Sequence, residues 1–350
     1  MEYKTLKDIA KITMGQSPDS SSYNNEKDGL PFFQGNADFG ELYPNERFWC
    51  NAPKKVAMPG DILISVRAPI GALNYAKGKS CIGRGLAAIT IENIVERNYI
   101  FHLLKARNNY LNSMGTGSTF KAIGKNVLEE ILIPQISREE QQKCVNMMDL
   151  LGSIIRERQS QLGKFDEIIK ARFVEMFGDI IINDRLWKTD SWSNLLKIVN
   201  GKNQKSVESN NGKYVICGSG GIIGRATDYL TKENSVIIGR KGNINKPILM
   251  REKYWNVDTA FGVEPNENYI CVEYLYMFCL FFDFNRLNKA VTIPSLTKMD
   301  LLNISMPIPD LHTQKRFATF VSQVNKSKVV SQHTTSNPYI QNLNFAVKWL

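Results

Sequence analysis

Glycines in two short segments suggest phosphate or nucleotide chemistry, but their spacing does not support it. The segment CGSGGIIG, residues 217–224, follows an apolar run, yet its glycines are spaced GxGxxxG, whereas a dinucleotide-binding loop has GxGxxG. The segment GKS, residues 78–80, lacks the first glycine of a P-loop, because Leu73 stands at that position. Both segments are therefore expected to be turns, in which glycine is a common residue.

The residue types that usually carry catalysis or bind metals are scattered along the chain. The three histidines, His102, His312 and His333, suggest neither a triad nor a metal-ligand set, and the six cysteines form no CxxC pair. The segment NPY, residues 337–339, lacks one proline of the NPPY motif of amino-methyltransferases, and no strand pattern surrounds it. We therefore expect no catalytic centre and no metal site in this chain.

The charge balance indicates a polyanionic partner. The 350 residues, enough for about two domains, include 44 Lys and Arg against 34 Asp and Glu, a formal net charge of +10. Nucleic acid is one expected partner, although basic proteins without one are common. The start of the chain shows no signal-peptide pattern, and the apolar run 274–284 is too short to span a bilayer. Unpaired thiols suit a reducing compartment, so we expect a cytoplasmic protein without membrane contact.

The elements that would position any site occur twice in the chain. Residues 119–145 and 292–318 align without gaps at an offset of 173, and six of the 27 positions are identical. At nearby offsets, 61–69 parallels 235–243 as a buried strand that ends in a basic turn, and 98–111 parallels 272–285 as an apolar helix. Residues 6–15 parallel 193–201 as a short apolar segment that stops at glycine. A period this long predicts two duplicated domains.

Each repeat ends in the same junction. ILIP, residues 131–134, and ISMP, residues 304–307, are expected to be extended, because the residue before proline avoids the helical region. Ser137 and Asp310 then follow as helix N-caps, and Glu140 completes a capping box with Ser137. The sequence therefore predicts a strand that turns into a new helix at both places.

The first of these helices is predicted to run from Arg138 to Phe177, roughly 60 Å at about 1.5 Å per residue. A seven-residue apolar repeat favours a coiled coil, although an amphipathic helix packed on its own domain is the alternative. In the second copy the repeat is lost at Lys328 and Thr335, and Pro338 breaks the helix, so the tail is expected to be divergent or truncated. The predicted seam residues are Met148, Leu151, Ile155, Leu162, Phe165, Ile169, Met176, Val321 and Val324.

Two such domains, each followed by a long helix, resemble the specificity subunit of type I restriction–modification enzymes. The resemblance is carried by ILIPQISREEQQ, residues 131–142, and ISMPIPDLHTQ, residues 304–314. It implies two target-recognition domains that each read half of a split double-stranded DNA sequence, and long helices that pair as an antiparallel coiled coil. It also implies a non-catalytic subunit that docks two methylation subunits and, through them, restriction subunits. S-adenosylmethionine, ATP and Mg are then expected in the partners, with no cofactor in this chain.

We accordingly predict an α+β chain with two similar mixed α/β target-recognition domains. The expected boundaries are 1–137 for the first domain, 138–178 for the central helix, 179–310 for the second domain and 311–350 for the C-terminal helix and tail. Two alternatives stay open at this point. One is a stand-alone DNA adenine methyltransferase with its own recognition domain, and the other is a helical scaffold that does not read DNA.

Basic and polar residues in predicted loops are the candidates for DNA contact. Arg67 and Lys241 end matched strands, and Lys125 parallels Lys298. Arginine is the type best suited to guanine, because its planar fork bonds O6 and N7 together. For each single residue the alternative is a solvated surface charge, and for Thr119 it is a cap of the local backbone. The predicted set is Gln16, Arg67, Lys77, Lys79, Arg84, Thr119, Lys121, Lys125, Lys202, Lys205, Arg225, Arg240, Lys241, Lys246 and Lys298.

Overall fold

A computed structural model of the chain describes residues 2–117, 121–288 and 293–335, with side chains as far as residue 329. The described residues form two compact units, one up to residue 157 and the other from residue 158 to residue 334. No helix in these ranges is long and apolar enough to cross a membrane.

The first unit combines short strands with a helical layer. Its elements, in chain order, are β1 (Glu2–Thr5), α1 (Leu6–Ile9), β2 (Lys11–Met14), β3 (Tyr23–Asn24), β4 (Leu30–Phe33), β5 (Trp49–Cys50), β6 (Val56–Ala57), β7 (Ile62–Ser65), β8 (Leu73–Tyr75), β9 (Ser80–Ile82), β10 (Leu86–Thr90), α2 (Ile94–Ala106), α3 (Asn108–Ser113), α4 (Lys125–Glu129), β11 (Leu132–Gln135) and the start of α5 (Arg138–Phe177). One sheet has the order β2-β10-β7-β8, and another has the order β3-β5-β4-β9-β6. The predicted helix 98–111 is present as α2 and α3, with a break at Arg107.

Buried strand residues of the first unit face two cores in alternation. Ile62 and Ile64 of β7 pack with α2 in one hydrophobic cluster, whereas Leu63 packs in another with Ile82 and Ala88. This follows from the period of two in a strand, which sends successive side chains to opposite faces. Because both faces of β7 are covered, its first three residues, 62–64, are all apolar.

The second unit repeats this order of elements. Its strands and helices are the remainder of α5, then β12 (Thr189–Ser191), α6 (Trp192–Leu195), β13 (Leu196–Asn200), β14 (Tyr214–Gly218), β15 (Gly221–Ala226), β16 (Ser235–Gly239), β17 (Ile248–Met250), β18 (Tyr254–Asn256), β19 (Ala260–Pro265), α7 (Val272–Phe281), α8 (Lys298–Leu302), β20 (Ser305–Pro307) and α9 (Leu311–Thr335). The sheet orders are β13-β19-β16-β17 and β15-β14-β18. Segment 217–224 forms the β14–β15 hairpin, so the prediction of turn glycines there is confirmed.

The repeated junction has the same structure in both units. β11 pairs antiparallel with β1, and β20 pairs antiparallel with β12, so each proline-containing strand returns to the first strand of its unit. At the start of α5 the Ser137 N–H donates to Glu140 Oε2 at 2.9 Å, and the Glu140 N–H donates back to Ser137 Oγ at 3.3 Å. At the start of α9 the Thr313 N–H donates to Asp310 Oδ1 at 2.8 Å. The predicted caps and the predicted bounds of α5 are confirmed.

Within the second unit, α9 packs against the end of α5. The Phe317 ring lies 5.3 Å from that of Phe173 and 5.6 Å from that of Phe177, between ring centroids. Further along α9, Lys328 Nζ donates to Asp166 Oδ1 at 2.6 Å. Because later residues of α9 meet earlier residues of α5, the two helices run in opposite directions here.

The predicted seam residues differ in how deeply they are buried. Ile169 and Val321 are buried in the core of the second unit, and Met176 and Val324 are partly buried against it. The remaining predicted positions, all on α5, are each half-buried: Met148, Leu151, Ile155, Leu162 and Phe165. Pairing as a coiled coil along the whole of α5 stays a prediction.

Candidate nucleic-acid interface

A tight turn between β9 and β10 presents Arg84 at one end of the first unit. The Leu86 N–H donates to the Gly83 carbonyl at 3.0 Å and closes the turn. The Gly85 N–H donates to the Gln34 carbonyl at 3.1 Å, which ties the turn to the chain after β4. Since the main chain is held on both sides, the exposed Arg84 side chain projects from a fixed base.

Main-chain hydrogen bonds bring three other predicted residues to the same turn. The Gln16 N–H donates to the Ile82 carbonyl at 3.0 Å. Residue 66, next to Arg67, donates its N–H to the residue 85 carbonyl at 2.9 Å. Arg67 forms a β-bridge with residue 122, and residue 68 donates to the Lys121 carbonyl at 3.1 Å. We call the set Gln16, Arg67, Arg84 and Lys121 edge 1; all four side chains are exposed.

The second unit builds the same arrangement. The Ala260 N–H closes a turn on the Val257 carbonyl at 2.9 Å, and this turn presents Asp258. The Lys202 N–H donates to the residue 256 carbonyl at 3.0 Å, and the Arg240 N–H donates to the residue 259 carbonyl at 2.7 Å.

Lys241 completes this arrangement through a β-bridge with Ser295. We call the set Lys202, Arg240, Lys241, Asp258 and Ser295 edge 2. Its Lys202, Arg240, Lys241 and Asp258 side chains are exposed, and Ser295 is half-buried.

The hydrogen bonds define which positions of the two edges are equivalent. Arg67 corresponds to Lys241 and Arg84 corresponds to Asp258, both at an offset of 174. Gln16 corresponds to Lys202 at the larger offset of 186. In each unit the main-chain N–H of this residue donates to the carbonyl of the residue just before the turn, residue 82 or residue 256. Asp258 is absent from the predicted set, which contains basic and uncharged polar residues and no acidic residue. The offset shared with the Arg67 and Lys241 pair is the signal that could have found it.

A glycine is in close main-chain contact with each turn. A Cβ atom on Gly15 would overlap the carbonyl oxygen of Gly83, and one on Gly201 would overlap the carbonyl oxygen of Val257. Glycine is required at both positions, because a Cβ atom would clash with the main chain of the adjacent turn. The turns that carry Arg84 and Asp258 are thus each packed against the main chain of a glycine.

The cations of both edges are available for an anionic ligand. Within the described residues, Arg67, Arg84, Lys121, Lys202 and Lys241 have no ion-pair partner at all. Arg240 places its guanidinium 5.9 Å from the centroid of the Phe261 ring. Because these positive charges are solvated and uncompensated, each edge can contact DNA phosphates and DNA bases. Phosphate contacts fix the position of the protein along the DNA, and base contacts distinguish one sequence from another.

Other predicted residues lie elsewhere or serve the fold. Lys77 and Lys79 precede β9, whereas Arg84 follows it, so they lie at the opposite end of that strand. Lys125 and Lys298 begin α4 and α8, which confirms that they are parallel positions.

Three further predicted residues lie in the second unit. The Arg225 guanidinium donates to the carbonyl of residue 212 at 3.1 Å and so fastens the base of the β14–β15 hairpin. Lys205 shares the loop after β13 with Lys202, and Lys246 shares the loop between β16 and β17 with Lys241. Thr119 and its repeat counterpart, residue 292, lie outside the described residues.

The thiols of Cys81 and Cys217 are fully buried. Burial raises the pKa of the Cys81 thiol and of the Cys217 thiol to about 12, so both are protonated at neutral pH. Over residues 2–117, 121–288 and 293–335, no group of three or more His, Cys, Asp or Glu side chains is placed to hold a metal ion.

Comparison with known proteins finds one family. The model of the type I restriction modification DNA specificity domain matches residues 1–163 and again residues 185–337. A putative type I restriction enzyme MjaX specificity subunit of Methanocaldococcus jannaschii is 47% identical over 158 residues, which are 44% of this chain and 37% of that protein. The MjaIX specificity subunit of the same organism is 25% identical over 240 residues, 61% of this chain and 56% of that protein. This chain therefore spans well under two thirds of the length of either relative.

Among solved structures, the type I restriction–modification S subunit from M. genitalium aligns over 99% of this chain and 94% of its own, with a TM-score of 0.60 at 14% identity. That similarity is one of fold. The HsdS subunit from Thermoanaerobacter tengcongensis is 47% identical over 43% of this chain and 36% of its own, with a TM-score of 0.39.

Proposed function

The chain belongs to the type I restriction–modification DNA specificity family, and from this membership we propose that it is a DNA-reading specificity subunit. In this proposal edge 1 reads one half of a bipartite double-stranded target and edge 2 reads the other half. The chain has no catalytic role of its own.

The observation that carries the proposal is the duplication of the edges. Two turns, each closed by the same hydrogen bond and backed by a glycine, stand beside one equivalent pair of exposed cations, Arg67 and Lys241. Each edge also carries further exposed cations whose positions differ between the two units. A bipartite target needs two reading surfaces of similar build and different side chains, and the two edges meet both conditions. Lysine and arginine on each edge supply the phosphate contacts that make binding strong and salt-dependent.

The proposal extends to partners. We place α5 and α9 as a coiled-coil spacer and as the region that docks two methylation subunits, through which restriction subunits join. S-adenosylmethionine, ATP and Mg are bound in those partners, and the complex acts on cellular DNA in the cytoplasm. The apolar, half-buried positions of α5 support this role for the helix, because a coiled-coil seam needs them.

The alternatives are not favoured. A stand-alone adenine methyltransferase needs an S-adenosylmethionine loop, and the glycine-rich segment 217–224 is instead a two-stranded hairpin. A scaffold that does not read DNA gives no reason for two equivalent edges with uncompensated cations.

The test is a binding-site selection with the purified full-length chain and a random duplex library. We expect enrichment of a motif with two defined halves and an undefined gap. The double variant Arg67→Ala with Lys241→Ala should bind more weakly, while hydrogen exchange along a urea series stays unchanged in both units. Its salt slope should also be smaller, by about one unit in d log K/d log[salt] for each phosphate that the variant no longer neutralises.

The matched control is Lys77→Ala with Lys79→Ala, which removes two exposed lysines at the other end of β9. This control should retain the wild-type affinity for the selected motif. Enrichment of no motif by the wild-type chain would overturn the proposed function. A fall in stability with retained affinity would remove Arg67 and Lys241 from the site.

A further inference from the structure

The two turns at the centre of the edges carry side chains of opposite charge. Arg84 and Asp258 occupy the same position of a turn closed by the same hydrogen bond, Leu86 to Gly83 and Ala260 to Val257. At other equivalent positions Arg67 and Gln16 each match a lysine, whereas Lys121 matches Pro294 and Arg240 matches Val66. Among these pairs, only the turn position carries side chains of opposite charge.

Local structure does not account for Asp258. An aspartate in a turn usually accepts a hydrogen bond from a neighbouring N–H, as Asp310 does at the start of α9. The Asp258 carboxylate is exposed and, within the described residues, forms neither a hydrogen bond nor an ion pair. Arg84 likewise donates no side-chain hydrogen bond there. Neither side chain is needed to hold its own turn.

We infer that Arg84 and Asp258 are specificity-determining residues of opposite polarity, with Arg84 reading guanine in one half-site and Asp258 reading cytosine in the other. The inference rests on the proposed function and names the bases that two of its residues recognise. A guanidinium donates to guanine O6 and N7, whereas a carboxylate accepts from the N4 amino group of cytosine.

The surroundings of Asp258 fit a carboxylate that must approach DNA. Phosphates repel it, but the same edge carries Lys202, Arg240 and Lys241, which offset that repulsion. The adjoining hairpin turn consists of residues 219–220, Ser-Gly, and so carries no bulky side chain. Because the turn is fixed by Gly201 and by its own hydrogen bond, the carboxylate is presented with little loss of freedom.

The experiment is the same binding-site selection with the full-length chain and single variants. In the wild type we expect one position of one half-site to prefer cytosine by at least about fivefold, within a range of about 5- to 150-fold. Asp258→Asn, which is nearly isosteric, should shift that position to adenine, and Asp258→Arg should shift it to guanine. Arg84→Gln should change a guanine to adenine in the other half-site only.

Glu267→Gln is the matched control, since Glu267 is an exposed acid at the far end of β19 from Asp258. It should leave the motif unchanged. In each variant, hydrogen exchange of peptides from the substituted unit reports on its folding, because one unit can unfold while the other stays folded. A wild-type motif with unchanged preferences in Asp258→Asn and Asp258→Arg overturns this inference and leaves the proposed function standing. Selection of adenine by wild-type Asp258 overturns the assignment to cytosine, and the absence of any wild-type motif overturns the proposed function itself.

Discussion

Gln314 offers a measurable test of how the second unit is fastened to its helix α9. The side chain is fully buried. Its Oε1 accepts from the Cys271 N–H at 2.8 Å, and its Nε2 donates to the carbonyls of Tyr269 at 2.9 Å and Pro309 at 2.8 Å. One amide thus joins the start of α9 to the loop before α7. Its repeat counterpart, Gln141, is much less well bonded.

The magnitude follows from counting these bonds. Each buried hydrogen bond contributes about 0.5–1.5 kcal/mol net, so Gln314→Ala should cost about 3 kcal/mol in the free energy of unfolding. Gln141 Nε2 makes one long bond, 3.4 Å to the Ile136 carbonyl, and its Oε1 has no partner among the described residues. Gln141→Ala should therefore cost about 1 kcal/mol. The difference of about 2 kcal/mol corresponds to roughly a 30-fold change in the unfolding equilibrium.

Hydrogen exchange measured by mass spectrometry along a urea series is the suitable assay. A single melting temperature is poorly defined for a chain of two units, whereas peptides from each unit report separately. In Gln314→Ala, peptides of the second unit should lose protection at lower urea, and the Cys271 amide should exchange faster even without urea. Gln323→Ala, an exposed glutamine on the same helix, is the control and should change stability by less than about 0.5 kcal/mol.

Two results would refute this reasoning. Equal destabilisation by Gln314→Ala and Gln141→Ala would show that the number of hydrogen bonds does not set the cost. Retained protection of the Cys271 amide in Gln314→Ala would show that the bond to Oε1 is not what protects it.

Three further predictions concern other parts of the chain. Gly201→Ala should displace the neighbouring turn that carries Asp258 and lower the free energy of unfolding by about 1–3 kcal/mol through overpacking. It should also weaken base preference in only one half of the selected DNA motif, and an unchanged motif would contradict this. Phe317→Ala should destabilise the second unit by about 3–5 kcal/mol, because the ring is fully buried against Phe173, and urea-series exchange should show the first unit unaffected. Burial lowers the pKa of His102 and outweighs the opposing effect of Asp149 at 3.0 Å, so the folded chain binds fewer protons there than the unfolded chain. The contribution of His102 to the free energy of unfolding is fully present above the unfolded pKa of about 6.5 and is lost as the pH falls through the lower, folded pKa. His102→Gln should therefore flatten the fall in stability between pH 8 and pH 5.5. An identical pH profile of stability in this variant would contradict the assignment.

Much of the architecture was readable from local sequence signals. The bounds of α5 were predicted from its apolar repeat and from the Ser137 and Glu140 capping box, and the structure has the same bounds. The two mixed α/β domains followed from the repeated junction, and the fold similarity to the M. genitalium S subunit supports this architecture. The helix bounds and the caps depend on residues a few positions apart, so one stretch of sequence contains the whole signal, and the repeat is recognised by comparing two such stretches.

The composition of the edges depended on contacts between distant residues. Lys77, Lys79 and Arg84 are close in sequence, yet β9 separates the two lysines from the arginine, because a strand advances about 3.3 Å per residue. Arg225 stays a predicted DNA contact, and in the structure its guanidinium donates to the main chain at the base of a hairpin.

By itself, then, the sequence determined the repeat, the caps, the long helix and the basic character of both domains. Only the tertiary structure decided that Gln16 matches Lys202 and that Arg84 matches Asp258. Those equivalences are made by main-chain hydrogen bonds between segments as far apart in the sequence as Gln16 and Ile82, and such bonds do not depend on side-chain identity. A change of charge at an equivalent position is therefore invisible to a search for similar residues, and it becomes visible once the backbone partners are known.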